Sequence, residues 1–281
     1  MNLVDTHCHI QSAGADSVAG EHSTREKWAK AAERTPELII ADAAQAGVRK
    51  MVCVGCDLED SRLAVEFAKD RPACFASIGI HPHEAQHFAG NIPALDDFAT
   101  LVASGKVVAI GECGLDYYYG HSPEADQAEV LRFQIELALK HDLPMIFHVR
   151  GASSAEPGKD AFRDFWPIFD SYSGIRGVLH SYTDSAENLA KAVARGLYIG
   201  VNGIATFAKG AEQMEMYKNI PLSRLLLETD APFLTPSPYR GTICEPYHIR
   251  VIAEFLAGHR NEALRLLAQA TTDNAERLFK I

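Results

Sequence analysis

Short apolar runs alternate with longer amphipathic stretches along the whole chain. The runs are LVDTHCH (3–9), KMVCVGC (50–56), CFASIGI (74–80), VVAIGE (107–112), PMIFHV (144–149), GVLHSY (177–182), LYIGVN (197–202) and LLLETD (225–230). They are short and apolar, as strands covered on both faces should be. Between them, apolar positions recur with helical spacing, as in PELIIADAAQAG (36–47), EADQAEVLRFQIELALKHD (124–142) and SAENLAKAVARG (185–196). Two of these three end at Gly, the usual helix stop. Two further helices are expected around 246–257 and 261–279. Eight strands, each followed by helical or irregular sequence, is the count for an α/β fold of the closed (β/α)8 TIM barrel type, here one domain over residues 1–281. The competing architecture is an open doubly wound sheet, and the absence of a G-x-G-x-x-G after the first run weighs against it. The polar stretch 11–35 predicts an extended loop after the first strand, with room for a short helix.

Composition narrows the class. The 281 residues are 47% hydrophobic and 23% charged, enough to bury a full core. No apolar run reaches the length of a membrane span, and no basic segment followed by an apolar one opens the chain. The cytosol is the expected location, and no obligatory protein partner is implied. The net charge of −10 excludes a long non-specific grip on nucleic acid, which needs a basic surface. A nucleic-acid substrate would be held locally, at a strand end or through a bound cation. Of the six cysteines, Cys53 and Cys56 are closely spaced. A zinc site would need a second pair, so both are read as small buried side chains of a strand.

The candidate chemistry collects at the carboxyl ends of the strand runs. His7 and His9 alternate within the first run, and residues two apart on a strand project to the same side. His81 and His83 follow the third run, Glu112 ends the fourth, His148 the fifth, His180 the sixth, and Glu228 and Asp230 the eighth. In a closed barrel those ends ring one mouth, where active sites of this fold sit. Imidazoles and carboxylates converging there are poor neighbours without cations. Two divalent ions would satisfy them. His7, His9 and Asp230 are assigned to one ion and His148 and His180 to the other, with Glu112 bridging. Such ions activate water and polarise a phosphoryl or carbonyl oxygen. Asp230 is the candidate proton acceptor. Glu228 is the candidate to orient it or a ligand imidazole. Asp116 is expected to fix the tautomer of a ligand histidine. Arg150 and Arg240 could clamp a phosphate, and one or more of Tyr117, Tyr118 and Tyr119 could stack a base. His22, His87, His121, His141 and His259 lie off the strand ends and read as surface or helix histidines. His83 and His248 stay open. Asp57 reads as a helix cap or turn residue.

Together the motifs resemble one family. DTHCHI (5–10), GIHPHEA (79–85), IGECGLDYYY (110–119), PMIFHVR (144–150), GVLHSY (177–182), LLLETDAPFLTP (225–236) and PYRG (238–241) are similar, in order, to the TatD-type metal-dependent hydrolases of the amidohydrolase superfamily. The resemblance implies a TIM-type barrel with a one- or two-metal site at His7, His9, Glu112, His148, His180 and Asp230. It also implies hydrolysis of phosphodiesters, typically as a deoxyribonuclease of 3′ to 5′ exonuclease character acting on single-stranded DNA ends. His81 matches a position near the substrate phosphate, and Arg240 lies in the matching PYRG. Magnesium, manganese and zinc are the family's metals, and a ligand set this rich in imidazole favours zinc or manganese. The chain departs from many members after PYRG, where it reads PYRGTICEP without their Lys- or Arg-bearing stretch. The same ions could also serve a hydrolase of a carbonyl substrate, such as an amide, lactone or aminoacyl ester. A non-enzymatic metal-binding barrel is the third class.

Overall fold

The computed structural model describes residues 1–14, 24–152 and 159–281. Its strands are β1 (Leu3–Cys8), β2 (Val48–Val54), β3 (Cys74–Ile78), β4 (Val107–Asp116), β5 (Met145–Arg150), β6 (Gly177–Leu179), β7 (Tyr198–Val201) and β8 (Leu225–Leu227). Its α-helices are α1 (Thr24–Ala29), α2 (Pro36–Ala46), α3 (Leu58–Lys69), α4 (Ile92–Thr100), α5 (Glu124–Lys140), α6 (Ala161–Asp170), α7 (Ala186–Ala194), α8 (Ala211–Asn219), α9 (Ile249–Arg260) and α10 (Leu264–Phe279). The strands form one sheet in the order β1 to β8, all pairs parallel. The ends of the sheet meet just beyond β1 and β8. His9 N–H donates to the Ala231 carbonyl (2.7 Å), and Asp230 N–H donates to the His7 carbonyl (2.8 Å). The result is a nearly closed (β/α)8 barrel of the TIM type.

The core has two layers. Val4, Val52, Val108, Ile146, Val178, Tyr198 and Leu226 come from seven strands and cluster together, with Phe75 of β3 packed against them. They fill the barrel interior, and Leu278 and Phe279 at the end of α10 join them. The larger layer lies between strands and helices. Most strand positions are therefore dry on both faces, which is why the runs show little polar alternation. Helix starts follow local chemistry: Thr35 and Ser185 accept backbone N–H groups of α2 and α7, and Asp57 caps α3 through the Asp60 N–H at 2.7 Å. Gly47, at φ +97°, ends α2 in a left-handed conformation that a side chain would strain.

Several boundaries differ from the sequence reading. β2 starts and ends two residues early, so Cys56 lies beyond it. β6 and β8 hold only three residues each, because the chain turns away at Ser181 (φ +50°) and Asp230 (φ +62°). β1 breaks its own alternation: Val4 faces the interior cluster and Cys8, four residues on, the outer layer. The register with β2 shifts between Asp5 and Cys8. The stretch 11–35 carries α1 and a short 3₁₀ turn at Ile10–Ser12. Its residues 15–23, with His22, lie outside the described residues. Among the described residues, no helix is long and apolar enough to cross a membrane.

Candidate metal centre at the barrel mouth

Glu112 is the hub of the mouth. Its Oε2 lies 3.3 Å from His7 Nε2, and its Oε1 lies 2.8 Å from His148 Nδ1, 3.6 Å from His81 Nε2 and 3.7 Å from His180 Nε2. β4 delivers it through a cis Gly111–Glu112 peptide. The neighbouring strand must give way: a Cβ on Gly79 would fall 2.2 Å from the Gly111 carbonyl carbon. Burial opposes the Glu112 charge, but His7, His81, His180 and His148 overcome it and hold the carboxyl well below its ordinary range.

A second set of atoms faces the first across His7. His7 Nε2 and His9 Nε2 stand 3.2 Å apart, and Asp230 Oδ1 lies 3.6 and 3.3 Å from them. His9 Nδ1 is 2.8 Å from the buried Val54 carbonyl, so it carries the proton in the neutral ring. Its Nε2 then turns a bare lone pair inward. A tetrahedral ion about 2.0–2.1 Å from each ligand would separate them by roughly 3.3–3.4 Å, close to the three distances found. The donor set therefore fits a divalent cation. His7 Nδ1 and Glu228 Oε2 are also buried without a hydrogen-bond partner among the described residues.

The remaining side chains divide into candidate ligands and props. His180 stacks on His7 with centroids 3.5 Å apart and shares a ligand group with His7 and Glu112. Behind it, Glu228 Oε1 accepts the Ser181 N–H (2.6 Å) and lies 3.0 Å from His180 Nδ1. Gly200 makes room there, since a Cβ would fall 2.2 Å from Glu228 Oε2. Burial works against a charge on His180, yet Glu228 and Glu112 raise its pKa to about 10. His148 bridges two carboxylates, with Nδ1 on Glu112 and Nε2 on Asp116, both at 2.8 Å. Both of its nitrogens are engaged in this arrangement. It groups with His81 and Glu112, while its ring lies 6.5 Å from that of His180. The grouping thus differs from the expected pairing of His148 with His180. His81 Nδ1 accepts the His83 N–H (3.2 Å), so Nε2–H of the neutral ring points at the mouth.

Cys56 Sγ lies 3.9 Å from Glu112 Oε2, which corrects its reading as a buried strand residue; Cys53 is indeed buried in β2. The signal was available in VGCD, because a helix cap at Asp57 marks the rim where every other candidate ligand stands. His83 Nε2 is 3.2 Å from Asp116 Oδ2. Arg150 lies over the rings of Tyr118 (4.1 Å) and Tyr119 (5.0 Å), and His121 stacks on Tyr119. Tyr117 is buried and donates to Asp164. Arg240 lies over Phe207 at 4.0 Å. His248 is buried away from the ligand groups, beside Tyr247 and Glu245.

A family profile described as TatD related DNase matches residues 4–280. The chain belongs to the TatD family. It is 35% identical over 284 residues to the uncharacterized metal-dependent hydrolase YabD of Bacillus subtilis, covering 99% of each chain. It is 34% identical over 254 residues to the 3′-5′ ssDNA/RNA exonuclease TatD of Salmonella typhimurium, covering 86% of this chain and 92% of that one. The solved structure of the TatD homologue YJJV of Escherichia coli superposes with a TM-score of 0.81 at 25% identity, over 99% of this chain and 98% of that one. This TatD-family chain is a metal-dependent hydrolase, consistent with action on ester bonds.

Proposed function

We infer that this TatD-family hydrolase removes nucleotides from single-stranded nucleic-acid ends by hydrolysing the terminal phosphodiester. The observation that carries the reading is a track of rings leading to the centre. Tyr118 and Tyr119 are about half exposed at its outer end, joined by Arg150. Tyr119 is 5.3 Å from His83, His83 is 4.3 Å from His81, and His81 is 4.6 Å from His148. Aromatic faces stack unpaired bases whatever their sequence. A guanidinium beside them suits the phosphate between two bases. The net charge of −10 fits a locally held end better than a long duplex. The relative named as an ssDNA/RNA exonuclease agrees with this substrate class.

In this mechanism His7, His9 and Asp230 would hold one ion, and His180 and Glu112 would hold a second. Divalent ions there, zinc or manganese by the donor set, would supply Lewis acidity and a more acidic water. Asp230 keeps 17% of its side chain exposed, so a water can reach it and pass it a proton. His81 presents Nε2–H toward an incoming phosphoryl oxygen. Glu228 acts from behind as a positioning residue, aiming His180. The test is release of mononucleotides from a labelled single-stranded oligonucleotide, run beside a panel of esters, lactones and amides. Tyr119→Ala should raise KM about tenfold, the worth of one stacked base, with kcat little changed. Turnover confined to the ester and amide panel would defeat the nuclease reading and favour a carbonyl substrate.

A further inference from the structure

Cys56 is pinned at the rim of the metal centre. It lies two residues beyond β2, its N–H donates to Asp60 Oδ2 (3.1 Å), and its carbonyl accepts the His81 N–H (2.8 Å). Asp60 is itself held by Gln11, at 3.3 Å. The backbone is thus fixed from both sides, and the partly exposed thiol is aimed at Glu112. Cys56, His9 and Glu112 offer three ligand atoms within 4.8 Å of one another. An ion bound about 2.3 Å from sulfur and about 2.1 Å from oxygen would set those atoms roughly 3.6 Å apart; Sγ and Oε2 are 3.9 Å apart. The other five cysteines are buried, and none joins a ligand group among the described residues.

We propose that Cys56 is a further metal ligand, a thiolate donor within an imidazole and carboxylate centre. The proposal rests on the metal-centre reading and is independent of the substrate. The thiol proton leaves to solvent as the sulfur–metal bond forms. Sulfur selects thiophilic ions such as zinc, cadmium and cobalt over magnesium and manganese, so this centre discriminates among ions more sharply than its oxygen and nitrogen donors would alone.

The test uses the full chain stripped of metal and reloaded. With cobalt(II), the wild type should show a sulfur-to-cobalt charge-transfer band in the near ultraviolet that Cys56→Ser lacks. Cadmium affinity should fall at least about tenfold in Cys56→Ser, while manganese affinity changes by less than about threefold. Retained manganese binding shows that the variant has folded and that the remaining centre stands. A band that survives in Cys56→Ser, a wild type without one, or equal losses for cadmium and manganese would each overturn the proposal.

Discussion

Each side chain at this mouth is useful because something behind it fixes its direction. Val54 sets the proton on His9, the His83 amide sets it on His81, and Glu228 stands behind His180. Glu228→Gln keeps the shape and the acceptor for Ser181 but removes the charge facing the imidazole. Metal affinity should fall about 10- to 100-fold, read by calorimetric titration with manganese, while the thermal midpoint of the metal-free protein stays near wild type. An unchanged affinity would place Glu228 among purely structural residues. The identities of the candidate ligands were legible because His, Glu and Asp stood at the ends of apolar runs. The grouping of His7, His9 and Asp230 followed the same reading, and that of His148 with His180 did not. No spacing rule says that His148 turns both nitrogens to carboxylates.

At the level of elements, the eight strands and the main helices were readable from apolar pattern and caps, and their lengths were not. Hydrophobicity continues through GVLHSY and LLLETD, whereas pairing in β6 and β8 stops at the third residue. The apolar signal reports burial, and His180, Tyr182, Glu228 and Thr229 beyond those strands remain buried although they leave the ladder. The turn before α9 shows a different use of burial. His248 is fully buried, and its Nδ1 accepts the Glu245 N–H at 3.1 Å. Burial lowers its pKa from 6.5 to about 4. The unfolded chain therefore takes up this proton near pH 6.5 and the folded one only near pH 4. Stability supplied by the neutral ring is present above pH 6.5 and lost as pH falls toward 4, by about 3 kcal/mol. Urea titrations at pH 7 and pH 4 should show that much less acid sensitivity in His248→Asn than in the wild type. Parallel pH profiles would count against it.

For the whole molecule, the site and the closure of the barrel are the same place. His7 and Asp230 meet both as candidate ligands and through their backbone bond, and Thr229 donates its N–H and hydroxyl to Asp5 beside them. Saturating metal at a hundred times Kd should add about 2.7 kcal/mol to global stability, seen as a rise of roughly 5 °C or more in the thermal midpoint. Addition of a chelator should reverse it, and a midpoint indifferent to metal would separate binding from folding. This arrangement also orders events during synthesis. Thr6 bonds to the Leu227 carbonyl across 221 residues, so at roughly 5–20 residues per second the first strand waits on the order of ten to forty seconds for its last neighbour. Its free edge is an open template for strays throughout that interval. His7 sits on that waiting strand and His9 just beyond it, and a nascent chain halted before Leu225 would carry them without the carboxylate of Asp230.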